Sequence, residues 1–439
     1  MKKNRKVILF FILTFLLSSC SDMLRIYTGP EPSKKNIETR GKEFFVAFQE
    51  IYDQHMLGPP DVSLYITGEY NAEGQVSIAG LNFTQSFSVN ANKVTRVVLP
   101  LNVRVCSNDL VENLGVHITA SEPVAVYGIN REIYLTDSFL AYPVTSCGKE
   151  YYVMSYHGSG FAGSNFTIVG INDNSSIEIT PAISTGTRQA GVPYAITLNS
   201  GQTYLLFDTS GQSDSTGDVT GTHIVSDKAI AVLSGHKLCN VPSNTSAEDH
   251  LVEQILPVSS WDSRYLLLPF FNRTKDTVRI LAAFDNTTVS FNQSVAATLN
   301  AGEYIDELVT QNTVISADHP ILAAQFAHGA ADNPALQIGD PFMLMVPSTA
   351  QYRTSYTFCT LHSEITNNYI HIIVPTKAVA DILLDGSPIV GVLFSTIDET
   401  YSGARVPVIM DTHNITCSHK FGLILYGFGT YESYGNAGG

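Results

Sequence analysis

Apolar and polar residues alternate in short runs along most of the chain. Leu64 and Ile66, then Val76 and Ile78, are separated by other side chains, and Asn71-Ala72-Glu73-Gly74 turns the chain between them. A period of two over four to eight residues predicts half-buried strands. The same pattern continues at Phe87-Ser88-Val89, Val94 to Leu99, Ile177-Glu178-Ile179, Ile196-Thr197-Leu198, Tyr204 to Phe207, Val289-Ser290-Phe291, Ile382-Leu383-Leu384 and Val406 to Met410. No run with a 3.6-residue period extends beyond two turns. One phrase recurs four times, around Ser121, Ser226, Ser316 and Ser418: an apolar strand end, a polar centre with Asp, His, Lys or Pro, then a second apolar strand. Ser and Asp bond to nearby backbone and Pro fixes φ, so the phrase predicts a recurring β-hairpin.

The Ser-to-Ser spacings are 105, 90 and 102 residues. A second phrase keeps step with them. Gly41-Lys42-Glu43-Phe44-Phe45-Val46 returns as Gly148-Lys149-Glu150-Tyr151-Tyr152-Val153, with looser echoes at 262–267 and 353–358. The spacing predicts four β repeats at 41–147, 148–260, 261–350 and 351–439. Each is long enough to own a core, and the period exceeds the 20–50 residues of solenoids and propeller blades. The fold class is all-β, with tandem β-sandwich-like repeats, and a large-bladed β-propeller-like ring is the alternative. After the recurring phrase come Asp137 to Pro143, Asp249 to Pro257 and Asp340 to Pro347: an acidic residue, an apolar run and a proline. These are expected to be crossovers between repeats, because Pro cannot donate to a ladder.

Composition supports a folded chain. Only 15% of residues are charged and 44% are hydrophobic, which argues against disorder. The net charge of −15 and the lack of a basic stripe argue against nucleic acid as a partner. Residues 1–20 have the form of a signal peptide: a basic start to Lys6, then Val7 to Leu17, too short to span a bilayer. Leu17-Ser18-Ser19-Cys20 is similar to a bacterial lipobox, which makes Cys20 a candidate lipidation site; an ordinary leader with a chance cysteine is the alternative. Residues 21–40 read as a linker. Export places the chain in an oxidising compartment, secreted or surface-anchored, as an outer-membrane lipoprotein in a bacterial host. Eight sequons, at Asn82, Asn165, Asn174, Asn244, Asn272, Asn286, Asn292 and Asn414, are candidate glycosylation sites in a eukaryotic one. Cys106 with Cys147, and Cys359 with Cys417, each fall within one repeat or at its edge and are the expected disulfides. Cys239 is left over.

Little in the chain suggests chemistry. His236, Asp249, His250 and Glu253, with His223 nearby, are candidates for a metal site or an acid/base group, but the helical context of a zinc protease motif is missing. Ser213 to Asp218 offers oxygens to a hard cation, yet it is no EF-hand loop. Ser155 to Ser164 contains no nucleophile elbow. Trp261 is expected in the core or as an anchor for a partner. These features predict no catalytic residue, no cofactor and no metal.

Asp249-His250-Leu251-Val252-Glu253-Gln254 with Pro257-Val258-Ser259-Ser260-Trp261 resembles the signature of the IgGFc-binding protein N-terminal domain family. Tyr401 to Val406, Tyr426-Gly427-Phe428, Glu432 to Gly435, Gly41 to Phe44 and Asp137 to Pro143 are similar to other family phrases, in order, over 41–439. The resemblance implies a non-enzymatic extracellular binding or adhesion protein whose partner is a protein or glycoprotein, immunoglobulin-like or mucin-like. A structural spacer without a specific ligand, and a hydrolase built on His236, His250 and Glu253, are the competing classes. Some family members carry a second cysteine near the Asp-His-Leu phrase. Here Ala247-Glu248 stands there, which implies an unpaired Cys239.

Overall fold

The computed structural model describes residues 37–439, apart from 53–59, 159–162, 212–214, 244, 333–337 and 362–363. Cys20 and Asn244 therefore lie outside the described residues. The chain is nearly all strand, arranged in four large antiparallel sheets of closely related topology.

One long strand organises each repeat: Val116–Glu132, His223–Asn240, Thr313–Phe326 and Thr412–Gly429. Its first half pairs with the opening strand of the repeat (Gly41–Val46, Gly148–Tyr152, Asp262–Leu267 or Arg353–Cys359) and with an outer hairpin. Its second half pairs with another strand (Asp61–Thr67, Ser164–Gly170, Asp276–Ala282 or Asn367–Pro375) and with a closing strand (Leu135–Ala141, Glu248–Gln254, Met343–Met345 or Glu432–Ala437). Each repeat is thus two curled layers that share one strand, a sandwich-like arrangement.

The recurring Ser phrase sits in the middle of that long strand and is not a hairpin. Glu43 pairs with Thr119 but Gly41 pairs with Val124, so four residues of the long strand stand opposite Lys42. The same slip occurs between Val225 and Ile230, Ser316 and Ile321, and Thr416 and Phe421. A bulge of this size bends the strand and carries it from one layer to the other. The polar side chains act at the bend as their chemistry suggests, but on a neighbouring strand: Ser121 Oγ, Asp227 Oδ1 and Asp318 Oδ1 accept from the backbone N–H of Glu73, Ser176 and Thr288. A tyrosine of the opening strand closes the inside of the corner. The Tyr151, Tyr265 and Tyr356 hydroxyls donate to the Ile230, Ile321 and Phe421 carbonyls and accept from the N–H groups of Gly148, Asp262 and Arg353. The first repeat has Phe44 in this place, and Lys42 Nζ bonds the Ser121 carbonyl instead. The glycines that open two repeats are required by close approach: a Cβ on Gly41 or Gly148 would lie 2.3 or 2.4 Å from Pro143 or Pro257.

The expected crossovers are these closing strands, followed by short 3-10 turns at Val144–Ser146, Val258–Ser260 and Thr349–Gln351. The strands meet one another in cyclic order, first to second to third to fourth and back to first. The four repeats close into a ring with the closing strands on its axis. Hydrophobic clusters run across the repeat junctions; Leu140, Tyr142, Trp261, Met343, Met345 and Ala437 belong to one of them. Trp261 is a core residue, its Nε1 donating to the Leu256 carbonyl at 3.0 Å.

The expected Cys106–Cys147 and Cys359–Cys417 bridges do not appear among the described residues. Cys359 pairs with Thr412 across the ladder, and Cys417 lies five residues further along that strand. That is about 16 Å of extended chain, whereas a bridge needs Cα atoms within ~7 Å. Cys106 follows Arg104, which is bound to Asn130 and Glu132 at one end of the axial ladder. Cys147 lies beside Tyr142 at the other end. Alkylation of the unfolded, unreduced protein is expected to label Cys359 and Cys417; a linked Cys359–Cys417 peptide in a non-reducing digest would reverse that assignment.

Of the sequons, Asn165 is fully buried, its Nδ2 donating to the Gly163 carbonyl, which closes it to a glycosyl transferase in the folded chain. Asn414 is half-buried. Asn82, Asn174, Asn272, Asn286 and Asn292 are exposed, and each has positive φ, between 47° and 60°. Asparagine tolerates the left-handed region better than most residues, so turn geometry explains its presence at these five positions.

Candidate binding face at the ring axis

Every residue of the closing strand Leu135–Ala141 is buried, although Thr136, Asp137 and Ser138 are polar. Buried polar groups need partners, and these find them across the ring. The Asp137 carboxylate accepts from Ser138 N (2.8 Å), Val252 N (3.0 Å) and Met343 N (3.2 Å), and also from the Gly435 backbone. One amide comes from each of the four closing strands. Burial pushes the Asp137 carboxyl well above its ordinary range, and the four amides oppose that shift. Around it, Glu253 accepts from Met345 N at 3.2 Å, Gln254 accepts from Tyr142 N at 2.9 Å, and Asn436 donates to Ser138 Oγ at 2.7 Å. The axis is a sealed polar seam that joins the four repeats.

The candidate His and Glu group belongs to this interior. His236 and His250 are fully buried, and burial pushes both down to about 3, so they stay neutral. His250 Nδ1 contacts the His236 carbonyl at 2.9 Å and its Nε2 contacts Asn130 Nδ2 at 3.2 Å. Glu253 is three residues further along the strand, so its side chain leaves the opposite face. Burial raises its carboxyl, and it binds the third repeat. Asp249 is buried with one oxygen on His250 N. His223 lies apart on the outer layer, paired with Glu150 at 2.9 Å and stacked on Tyr152. His117 repeats that arrangement with Glu43 and Phe45. The structure therefore does not assemble these side chains into an open site, and no group able to hold a metal occurs among the described residues. Ser213 and Asp214 lie outside the described residues. Asp218 is spent on Arg279, which also grips Asp306. Ser155 and Ser164 bond each other at 3.0 Å in the interior.

What the ring does expose is one axial end, where each long strand turns into its closing strand. Two of these links are two-residue turns, Ile133-Tyr134 and Thr430-Tyr431. The other two links, from Asn240 to Glu248 and from Phe326 to Met343, are longer. The four links touch in sequence: Gly329 N donates to the Val241 carbonyl, Gly339 N to the Gly429 carbonyl, and Tyr134 N to Glu432 Oε1. Charged groups brace them from below. Arg131 bridges Glu364 and Glu432, and Thr136 Oγ1 also donates to Glu432. Arg273 donates to the Ile338 carbonyl and lies over the Phe428 ring at 3.9 Å; its burial lowers it to about 10. Asp340 and Asp249 are both pushed well above the carboxylate range, by burial first and by other carboxylates second. Loops held on a rigid scaffold are where recognition is placed in many folds.

Sequence reasoning took Asp137 only as a crossover marker and passed over Arg131, Arg279, Tyr134 and Tyr431. An acidic residue in a strand that is buried along its whole length was the feature that set the first apart. The others depend on which repeats become neighbours.

The sequence profile of the IgGFc binding protein family matches residues 137–427, from the axial aspartate of the first repeat almost to the end of the last long strand. The chain is also similar to the IgGFc-binding protein of Homo sapiens, with 21% identity over 414 residues. That alignment covers 91% of this chain and 7% of the human protein, so the chain spans a small part of its relative. The profile covers most of the four-repeat ring, and the chain belongs to the IgGFc binding protein family.

Proposed function

We propose that the chain is a non-enzymatic extracellular or cell-surface binding and adhesion protein that recognises a protein or glycoprotein partner. Family membership carries the reading. The fold agrees with it: a closed scaffold whose His236, His250 and axial carboxylates are sealed inside, with four chain links gathered at one exposed end. The apolar leader at Val7 to Leu17 supports export, and no described helix is long and apolar enough to cross a membrane. The partner class is immunoglobulin-like or mucin-like. Immobilised protein is expected to retain immunoglobulin Fc fragments or mucin-type glycoprotein above a denatured control. Retention of neither, across physiological salt, would overturn the binding reading in favour of a spacer without a ligand.

A further inference from the structure

Tyr134 and Tyr431 occupy equivalent positions in the turns of the first and fourth repeats, and both have positive φ, 65° and 52°. A bulky side chain is costly in that region. Elsewhere the chain fills many left-handed positions with asparagine or glycine, as at Asn82, Asn92, Asn174 and Gly201. Here it keeps two aromatic rings in place against the backbone preference, which is the pattern of a constraint retained for use. The two rings meet edge to face, with centroids 6.1 Å apart and planes at 88°. They remain 44% and 47% exposed at the open axial end.

We infer that this tyrosine pair is a saccharide-binding subsite for a neutral glycan. The inference rests on the glycoprotein reading above and names where the sugar sits. An aromatic face carries negative charge density that attracts the polarised C–H bonds of a pyranose ring. The exposed rings amount to about 200 Å². That is far below the ~1,200–2,000 Å² of a stable protein interface, and suits one or two sugar units. Close by, Glu364, 57% exposed and paired with the buried Arg131, offers carboxylate oxygens to ring hydroxyls, while the buried Glu432 holds the Tyr134 turn through its backbone N–H. Arg131 neutralises one of the two carboxylates it bridges, and the net charge of −15 repels sialylated and sulfated glycans. A neutral polyhydroxylated ring suits a paired aromatic face with carboxylate acceptors beside it, and the choline arm of the test below separates it from a cation.

The test uses the full chain and a panel of galactose-, mannose- and N-acetylhexosamine-terminated glycans beside sialylated and sulfated ones. Wild type is expected to bind one of the neutral classes, and the Tyr134→Ala/Tyr431→Ala double variant at least tenfold more weakly. The Tyr134→Gly/Tyr431→Gly variant separates binding from folding. It is expected to lose the glycan while its thermal midpoint stays level or rises, because glycine relieves the left-handed backbone. Three results would overturn the site: no neutral glycan bound by wild type, unchanged binding by the alanine pair, or displacement by choline but not by free sugar. If wild type retains a glycoprotein and the double variant retains it equally, the site fails and the binding function stands. If wild type retains nothing, the functional reading fails as well.

Discussion

Asp137→Ala is expected to cost at least about 4 kcal/mol of stability and to prevent the ring from closing. Its carboxylate is the common acceptor for Ser138, Val252, Met343 and Gly435, one backbone N–H from each repeat. Truncation leaves four buried donors without a partner, at ~1–3 kcal/mol each before relaxation. Asp137→Asn tests the account more sharply, since the side-chain shape is kept. Its amide N–H₂ would face backbone donors that now point at an oxygen, so it too is expected to lose several kcal/mol. Denaturant midpoints of the two variants measure this. An Asp137→Asn midpoint equal to wild type would mean that the group sits protonated, with a spare hydrogen that the amide can mimic.

The second large effect is expected at the junction of the second and third repeats. Arg279 is fully buried. Its guanidinium donates to Asp218 Oδ2 at 2.6 Å, to the Ser155 carbonyl at 2.8 Å and to both Asp306 oxygens, and it packs on Tyr304 at 4.0 Å. Removing one partner of a buried pair leaves the other charge uncompensated, so Arg279→Leu is expected to cost ~3–5 kcal/mol. Asp218→Asn in the same chain is expected to restore part of the loss, because Asp218 alone is the stranded ion. Burial alone would raise Asp218, but Arg279 and Thr220 outweigh it and hold the carboxyl below its ordinary value. A depressed folded value stabilises above the unfolded pKa of ~3.9 and is lost as pH falls through the folded one. Without Arg279, burial raises the Asp218 carboxyl, so the Arg279→Leu penalty should be largest where that carboxyl is ionised in the variant and shrink as falling pH protonates it, before wild type is affected. Unfolding midpoints at pH 7 and pH 3 check both points, and a penalty that does not depend on pH would assign the loss to packing alone.

Much of the fold was legible from periodicity, and the reason shows in single residues. The alternation of Val76 and Ile78 with their neighbours gives strands because one face is buried and the other is not. The Ser phrases were misread as hairpins because a corner and a hairpin need the same residues: Ser121, Asp227 and Asp318 satisfy a neighbouring backbone in either case. Only the register with the opening strand tells them apart, and register is a contact between distant segments. The Cys359–Cys417 expectation rests on sequence proximity alone, and the two cysteines share a ladder but lie far apart along it. The axial seam was half visible. Asp137 was visible as the acidic residue ahead of an apolar run, while the amides that hold it come from residues 115 and 206 positions away. Tyr134 and Tyr431 gave no signal, because a two-residue turn is expected to carry Asn or Gly.

The closing strands also define how the molecule bears load. The chain enters the ring at Glu38, whose N–H bonds Ser146 Oγ just past the exit of the first closing strand. The tyrosine turns lie at the entry of that strand, seven residues away. That is about 23 Å along the axis. A partner pulling on the turns against a tether attached at Glu38 would draw along the strands rather than across them. Hydrogen bonds perpendicular to the pull are then stretched together in shear, where a pull across the sheet would break them one pair at a time. A ring built this way should yield late and abruptly when pulled between Glu38 and the turns, and early and gradually when pulled from the rim.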